Sequence, residues 1–256
     1  MKKIILIISA TILMFNVFAD DNVEAKRLIE NSQKKIALKN ILLNLDLETF
    51  DSKGRSKSKS LIVSFAEFEQ QKKVLVEFIA PENVLGTKIL TTDYPNKQGI
   101  IEIYMPSTGK IQTIKSNKRN LKIMGSEIPI SQFSTALETD YNFSFAGKEL
   151  INEILCHKVK VENPDKKDYG IVFISIDDEH LLRVEKYDVR NKLLSLTELS
   201  DYIKIENSVN KVYPQKVKVK NYKTGKSSNL KVNNVTYLSR VDIEDFKLSP
   251  IASLIN

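Results

Sequence analysis

The sequence has little of what builds a metal centre, a stapled fold or a common catalytic site. It holds one cysteine, Cys156, so no internal disulfide can form. Cys156 lies between Leu155 and His157 in a strand-like run and reads as a buried, inert thiol. The two histidines, His157 and His180, have no partner at metal-ligand spacing. Eight glycines in 256 residues leave little room for phosphate-binding loops. There is no G-x-S-x-G elbow and no H-E-x-x-H pair. The densest polar cluster, Asp177-Asp178-Glu179-His180, falls between two strand-like runs and reads as a turn. No metal, no cofactor and no enzymatic activity are therefore expected.

Long apolar runs are also scarce, and the first 19 residues contain the exception. Lys2 and Lys3 precede an apolar run from Ile4 to Phe15. Val17-Phe18-Ala19 follows as a small–x–small cleavage signal, with Asp20-Asp21 directly after it. This is the layout of a secretory signal peptide, and its apolar core is too short to span a bilayer. Residues 1–19 are expected to be removed after Ala19. No cysteine follows the apolar run, so no lipid anchor is expected and the mature chain should reside in the periplasm. The formal net charge of +7 falls by the two lysines to +5, which suits mild attraction to anionic headgroups. Nucleic acid is not expected as a partner, because the basic residues are dispersed and the chain is exported.

Residues 22–39 have good helix formers, no glycine or proline, and a narrow apolar stripe through Val23, Leu28, Ile29, Ile36 and Ala37. From Ile41 the period changes to two. Leu43, Leu45, Leu47 and Thr49 alternate with Asn44, Asp46 and Glu48. A turn at 51–54 leads to a strand in which Arg55, Lys57 and Lys59 alternate with serines. That basic row reads as a solvated strand face or a headgroup contact. Further strands are predicted over 73–80, 87–92, 99–105, 110–115, 142–150, 153–162, 169–177, 181–188, 193–205, 215–221 and 228–237. Residues 116–137 lack a strand pattern and read as a long loop with a short helix near 130–137. No helical segments alternate with the strands, so a mainly β, antiparallel meander is expected. No repeat or linker divides residues 20–256, which are expected to form one domain and act as a monomer.

Several strands are apolar on both faces. Val74, Val76 and Phe78 share one side, with Leu75 and Ile79 on the other. Ile101, Ile103 and Met105 share a face, as do Val172, Ile174 and Ile176. Either other layers cover this surface, or part of it is an apolar concavity kept for a ligand. With Leu90, these nine residues of the shared faces are the candidate cavity lining.

Four short motifs occur in order: Phe78-Ile79-Ala80-Pro81, Gly86-Thr87-Lys88-Ile89-Leu90, Ile103-Tyr104-Met105-Pro106 and Ile123-Met124-Gly125-Ser126-Glu127-Ile128. In this order they resemble the outer-membrane lipoprotein-sorting proteins, the LolA-like periplasmic carriers. Ile123 and Ile128 stand where that family usually has phenylalanine, Glu127 replaces aspartate, and Glu102 replaces a frequent tryptophan. The resemblance implies a strongly bent, incomplete β-barrel (an α+β fold in the broad sense) with a helical lid or plug on its concave side. The N-terminal helix and residues 118–133 are the candidate lid, with Gly125 as its hinge. The resemblance also implies a carrier of lipoprotein or lipid acyl chains towards the outer membrane, with an inner-membrane exporter and an outer-membrane acceptor as partners. The alternatives are a lipoprotein-sensing adaptor and an accessory of an RND-type lipid exporter.

Overall fold

Alternation of apolar and polar residues puts one set of side chains on each face of a strand, and this chain uses that pattern almost throughout. The computed structural model describes residues 17–36, 39–95, 98–116, 122–123, 125–128, 141–164, 168–206, 208 and 210–248. One α-helix, α1 (Val17–Ile36), occurs among them, starting earlier than the predicted 22–39 and ending in Lys34 and Lys35, whose charge suits a helix C-terminus. Residues 1–16 of the expected signal peptide lie outside the described residues.

Thirteen strands follow. The first six are β1 (Asn40–Phe50), β2 (Ser56–Phe68), β3 (Gln71–Ala80), β4 (Lys88–Asp93), β5 (Gly99–Met105) and β6 (Lys110–Ser116). The other seven are β7 (Asn142–Ile151), β8 (Ile154–Glu162), β9 (Asp168–Ser175), β10 (Leu181–Asp188), β11 (Leu193–Lys204), β12 (Val212–Asn221) and β13 (Ser227–Tyr237). Each predicted strand run has its counterpart, with shifted ends. β2 continues past the basic row to Phe68, because Leu61, Val63 and Phe65 keep the alternation. β9 stops at Ser175, which leaves Ile176 in the following turn. The helix predicted near 130–137 lies outside the described residues.

The strands form one antiparallel sheet in the order β6-β5-β4-β3-β2-β1-β13-β12-β11-β10-β9-β8-β7. A simple meander would place β6 beside β7. Here they are the two outer strands, and the sheet is not closed. The two meanders are joined instead by β1 on β13, a ladder from Ile41 opposite Tyr237 to Phe50 opposite Ser227. A register shift at Asn44/Leu45 keeps Leu43, Leu45 and Leu47 against Val235, Val232 and Leu230.

Residues directly opposite in antiparallel strands share a face, so the registers trace one surface across the sheet. From Leu45 and Leu43 it runs to Leu61 and Val63, then to Phe78, Val76 and Val74, then to Ile89, Ile103 and Ile101. In the other direction it runs through Leu230 to Val217 and Leu199, and reaches Val184, Val172, Val159 and Phe145. This is the core face, and its main cluster includes Leu43, Leu45, Phe65, Phe78, Ile123 and Ile128 at 0–1% exposure. A second cluster seats Ala25, Leu28 and Ile29 of α1 on Phe143, Val159 and Ile174.

The outer face has two smaller apolar covers. The C-terminal segment folds back through a 3-10 turn (Ile243–Phe246), which Asp242 caps by accepting from the Glu244 backbone N–H, and its Phe246 lies on Ala66 and Leu90. On the same face Ile151, Cys156 and Phe173, from β7, β8 and β9, pack together with Leu182. Leu75 on β3 and Phe173 on β9 thus pack against protein side chains on the outer face, while Ile79 stays exposed.

Leu45 is 1% exposed where the two meanders join. Leu45→Ala should lower unfolding stability by about 2–5 kcal/mol, through lost transfer free energy and the cavity left behind. Urea unfolding measures it.

Candidate functional site

The four sequence motifs converge in space. The Phe78 backbone N–H donates to the Thr87 carbonyl (2.9 Å), and the Gly86 N–H donates to the Phe78 carbonyl (2.8 Å). Gly86 has φ +75°, and a Cβ there would stand 3.1 Å from Cγ of Pro106. That contact ties the second motif to the third and explains the glycine. The Lys59 ammonium lies 5.8 Å from the centre of the Phe78 ring. A Cβ on Gly125, at φ +76°, would lie 3.5 Å from Lys59 Nζ, so the fourth motif sits against the first through this lysine.

The fourth motif is a tight turn bound to the sheet. Ile123 N–H donates to the Ile128 carbonyl (2.9 Å), and Ser126 N–H donates to the Ile123 carbonyl (2.7 Å). The Ser126 hydroxyl accepts from the Ile128 N–H at 3.1 Å. Ile123 and Ile128 are both fully buried in the core-face cluster, so isoleucine at these two positions preserves the apolar contact. Met124, placed in the same motif from sequence, lies outside the described residues, as do residues 118–121 and 129–133 of the predicted lid.

Glu127 is the polar anchor. Its backbone N–H donates to Ser228 Oγ (2.9 Å), and its carboxylate accepts from Asn221 Nδ2 (2.8 Å) and from the Lys122 ammonium. The carboxylate is 8% exposed and Ser228 is fully buried. A buried carboxylate is tolerated when charge-assisted hydrogen bonds replace water. Lys59 stands beside this turn, and burial holds its ammonium pKa below the ordinary lysine value, with the neighbouring Lys57 acting in the same direction.

Asn221 and Ser228 were not among the residues expected from sequence, Lys59 was read only as part of the basic row, and Lys122 only as part of the 118–133 lid. Ser228 had a visible signal. It occupies an inward position of β13, where Leu230 and Val232 continue the apolar row. A serine in that row marks a place where the core face meets a polar group.

The predicted cavity lining divides between the faces. Val74, Val76, Phe78, Ile101 and Ile103 belong to or pack on the main core-face cluster. Val172 and Ile174 lie under α1. Leu90 faces the other way, beneath Phe246, because it follows Ile89 by one residue and the strand reverses side at each step. Met105, the last residue of β5, and Ile176 are half-buried, outside these clusters. The structure therefore does not bring all ten together.

A groove of about 520 Å³ lies on the polar side of β2, β1, β13 and β12, lined among others by Asp46, Glu48, Ser58, Ser60, Lys216 and Lys218. None of the ten predicted residues lines it. Asp46 accepts from Asn233 Nδ2 and Ser60 Oγ, each at 2.7 Å, and these bonds hold its carboxyl below the usual range.

The α1 seat is less complete. Ser32 Oγ and Gln33 Oε1 are buried without a hydrogen-bond partner. The helix end is held by polar ties instead, with Lys35 donating to the Asp178 carbonyl and lying 3.4 Å from Glu179, and Lys211 donating to the Lys34 carbonyl. The 177–180 cluster is the predicted turn. His180 stacks on Tyr202 at 4.3 Å, and burial holds the imidazole pKa below its ordinary value. Cys156 is fully buried, and burial pushes its thiol pKa up, which disfavours the reactive thiolate. Among the described residues, no helix is long and apolar enough to cross a membrane.

Comparison with solved structures identifies the class of fold. A domain from Vibrio parahaemolyticus named for outer membrane lipoprotein sorting matches with a TM-score of 0.73 at 19% identity, over 88% of this chain and 97% of its own. A DUF1329 family protein from Desulfovibrio piger matches at 0.75 and 16%, over 89% and 97%. A LolA superfamily protein from Nitrosomonas europaea matches at 0.63 and 15%, over 88% and 97%. At these identities the likeness establishes a shared fold, the one anticipated from the four motifs. A family model described as “Uncharacterized protein” matches residues 70–252, and the chain belongs to that family. No curated protein matches the sequence.

The Glu127 anchor has a measurable consequence. Glu127→Ala removes the acceptor of Asn221 and Lys122, and should cost about 1–3 kcal/mol. Thermal melting measures the loss.

Proposed function

We propose that this protein is a periplasmic carrier that shelters acyl chains of lipoproteins or lipids on the core face of its sheet. The observation that carries the reading is the fold, shared over 88% of the chain with a domain named for lipoprotein sorting. Two properties of this chain support it. Its core face is a largely apolar surface on an open sheet, and α1 and the turn that carries Ile123 and Ile128 pack on it.

Each methylene exposed to water costs about 0.8 kcal/mol, so a two- or three-chain lipid costs on the order of 20–35 kcal/mol to release uncovered. A carrier must replace those contacts without making release impossible. In this reading the covers move off the sheet, and acyl chains take over the contacts that Ile123, Ile128, Leu28 and Ile29 make in the empty state. The unpartnered Ser32 and Gln33 suit a cover that is bound with less than full stability. The Glu127 bonds to Ser228 and Asn221 serve as the latch of the other cover. Export with cleavage after Ala19 delivers the carrier to the aqueous gap it serves.

Protein purified from its native envelope should carry lipid or lipoprotein, detected by native mass spectrometry after gentle extraction. A chain that binds no fluorescent acyl probe and never co-purifies with lipid would sink the proposal. A sensor would bind the same probe yet fail to pass it from donor to acceptor vesicles.

Ser32→Ala relieves a buried unpaired hydroxyl under α1. It should raise the melting temperature by a few degrees, in line with roughly 1 kcal/mol. If α1 is a cover, acyl-probe uptake should slow in the same variant.

A further inference from the structure

Three hairpin tips stand side by side at one end of the sheet. They are residues 51–55 between β1 and β2, 222–226 between β12 and β13, and 189–192 between β10 and β11. The registers make them level: Phe50 is opposite Ser227, and the Tyr222 N–H donates to the Leu194 carbonyl at 2.9 Å. A Cβ on Gly225 would stand 3.3 Å from Cβ of Ser52, so the first two tips touch. Neighbouring tips are two strand spacings apart, about 10 Å, and the row is about 20 Å long.

This row is basic. Lys53, Arg55, Arg190, Lys192, Lys223 and Lys226 are all exposed on it. The acidic residue within these tips is Asp51, which pairs with Arg55 at 2.6 Å. Several turns at the opposite end of the sheet are acidic. Glu69, Asp177, Asp178, Glu179 and Glu206 occupy turns 69–70, 176–180 and 205–211, with Lys34, Lys35 and Lys211 beside them. The three tips are thus more basic than these turns, which favours presenting the tips to an anionic surface.

Two exposed apolar residues share the basic tips. Val189 is 64% exposed and Tyr222 is 41% exposed, with the Lys220 ammonium 5.0 Å from its ring. A tyrosine beside lysines is the usual composition of a membrane–water interface.

We propose that these three tips dock the protein, end-on, onto an anionic phospholipid surface. The shape favours a surface over a small ligand. The cations stand on separate projecting turns, and lysine acts as a flexible point charge suited to a diffuse row of headgroups. The 122–128 turn lies at this same end, since Glu127 bonds Ser228 and Asn221 at the foot of the β12–β13 tip. Docking would bring that edge of the core face to the bilayer. The inference concerns membrane attachment and does not require that the protein carries acyl chains.

Vesicle co-sedimentation of the mature chain tests it. Phosphatidylglycerol–phosphatidylcholine vesicles should bind at least about tenfold better than phosphatidylcholine alone, and raised salt should abolish the difference. Each lysine at such a surface accounts for about fivefold in affinity, so the triple variant Lys53→Glu, Lys223→Glu, Lys226→Glu should lose tenfold or more. The control triple Lys148→Glu, Lys204→Glu, Lys231→Glu changes exposed lysines outside the three tips. It has the same net charge as the first triple and should change binding less than threefold. Circular dichroism checks that both variants fold. Equal loss in the two triples, or equal binding to both vesicle types, overturns the proposal. So does failure to bind vesicles while the chain still binds polyglutamate through the same lysines, which would indicate an acidic protein partner. Acyl-probe binding without vesicles, measured on the same variants, reports the carrier reading separately and should not change.

Discussion

The pairing of β1 with β13 is the interaction on which the rest of the structure depends. Each meander could form from local hairpins alone. Only this long-range ladder makes them one sheet, and only with it do Leu43, Leu45 and Leu47 meet Val235, Val232 and Leu230. The order of the strands follows from it. So do the positions of β6 and β7 as outer strands, the core face that crosses both meanders, and the contact between the 51–55 and 222–226 tips.

An open sheet of this size presents a physical problem that bears on function. Its apolar face must be covered, yet no second sheet covers it among the described residues. The covers that are described are small: one helix, one tight turn and the C-terminal segment. The helix and the turn sit on the core face, and each is secured by polar contacts at its margin. The proposed carrier role asks that such covers give way to acyl chains. The basic tips add a second element, an end of the molecule with a sign of its own.

Much of the secondary structure was legible in the sequence, because alternation is a local signal. All thirteen strand runs were visible, and the double-sided apolar strands β3 and β9 were read as such. Their cause was not. A periodic pattern shows that Leu75 and Phe173 are apolar; it does not show that Leu75 packs with Phe246, or Phe173 with Ile151 and Cys156. Leu90 was grouped with core-face residues although its parity puts it on the other side. The basic row of Arg55, Lys57 and Lys59 was read as wet, but Lys59 is half-buried against Gly125 and Phe78. Those contacts join residues far apart in the chain, and no local pattern encodes them.

By itself the sequence determined the strand content, the antiparallel class, the poverty in common catalytic motifs and the four motifs that resemble the lipoprotein-sorting proteins. These depend on residue type and short-range order. The tertiary structure alone decided which strands become neighbours, which face is core and where the motifs meet. It placed Glu127 on Ser228 and Asn221, and gathered the lysines of three separate hairpins at one end. The reason is that register and strand order are set by loop closure over the whole chain and by the burial of opposite faces, which no short window of residues contains.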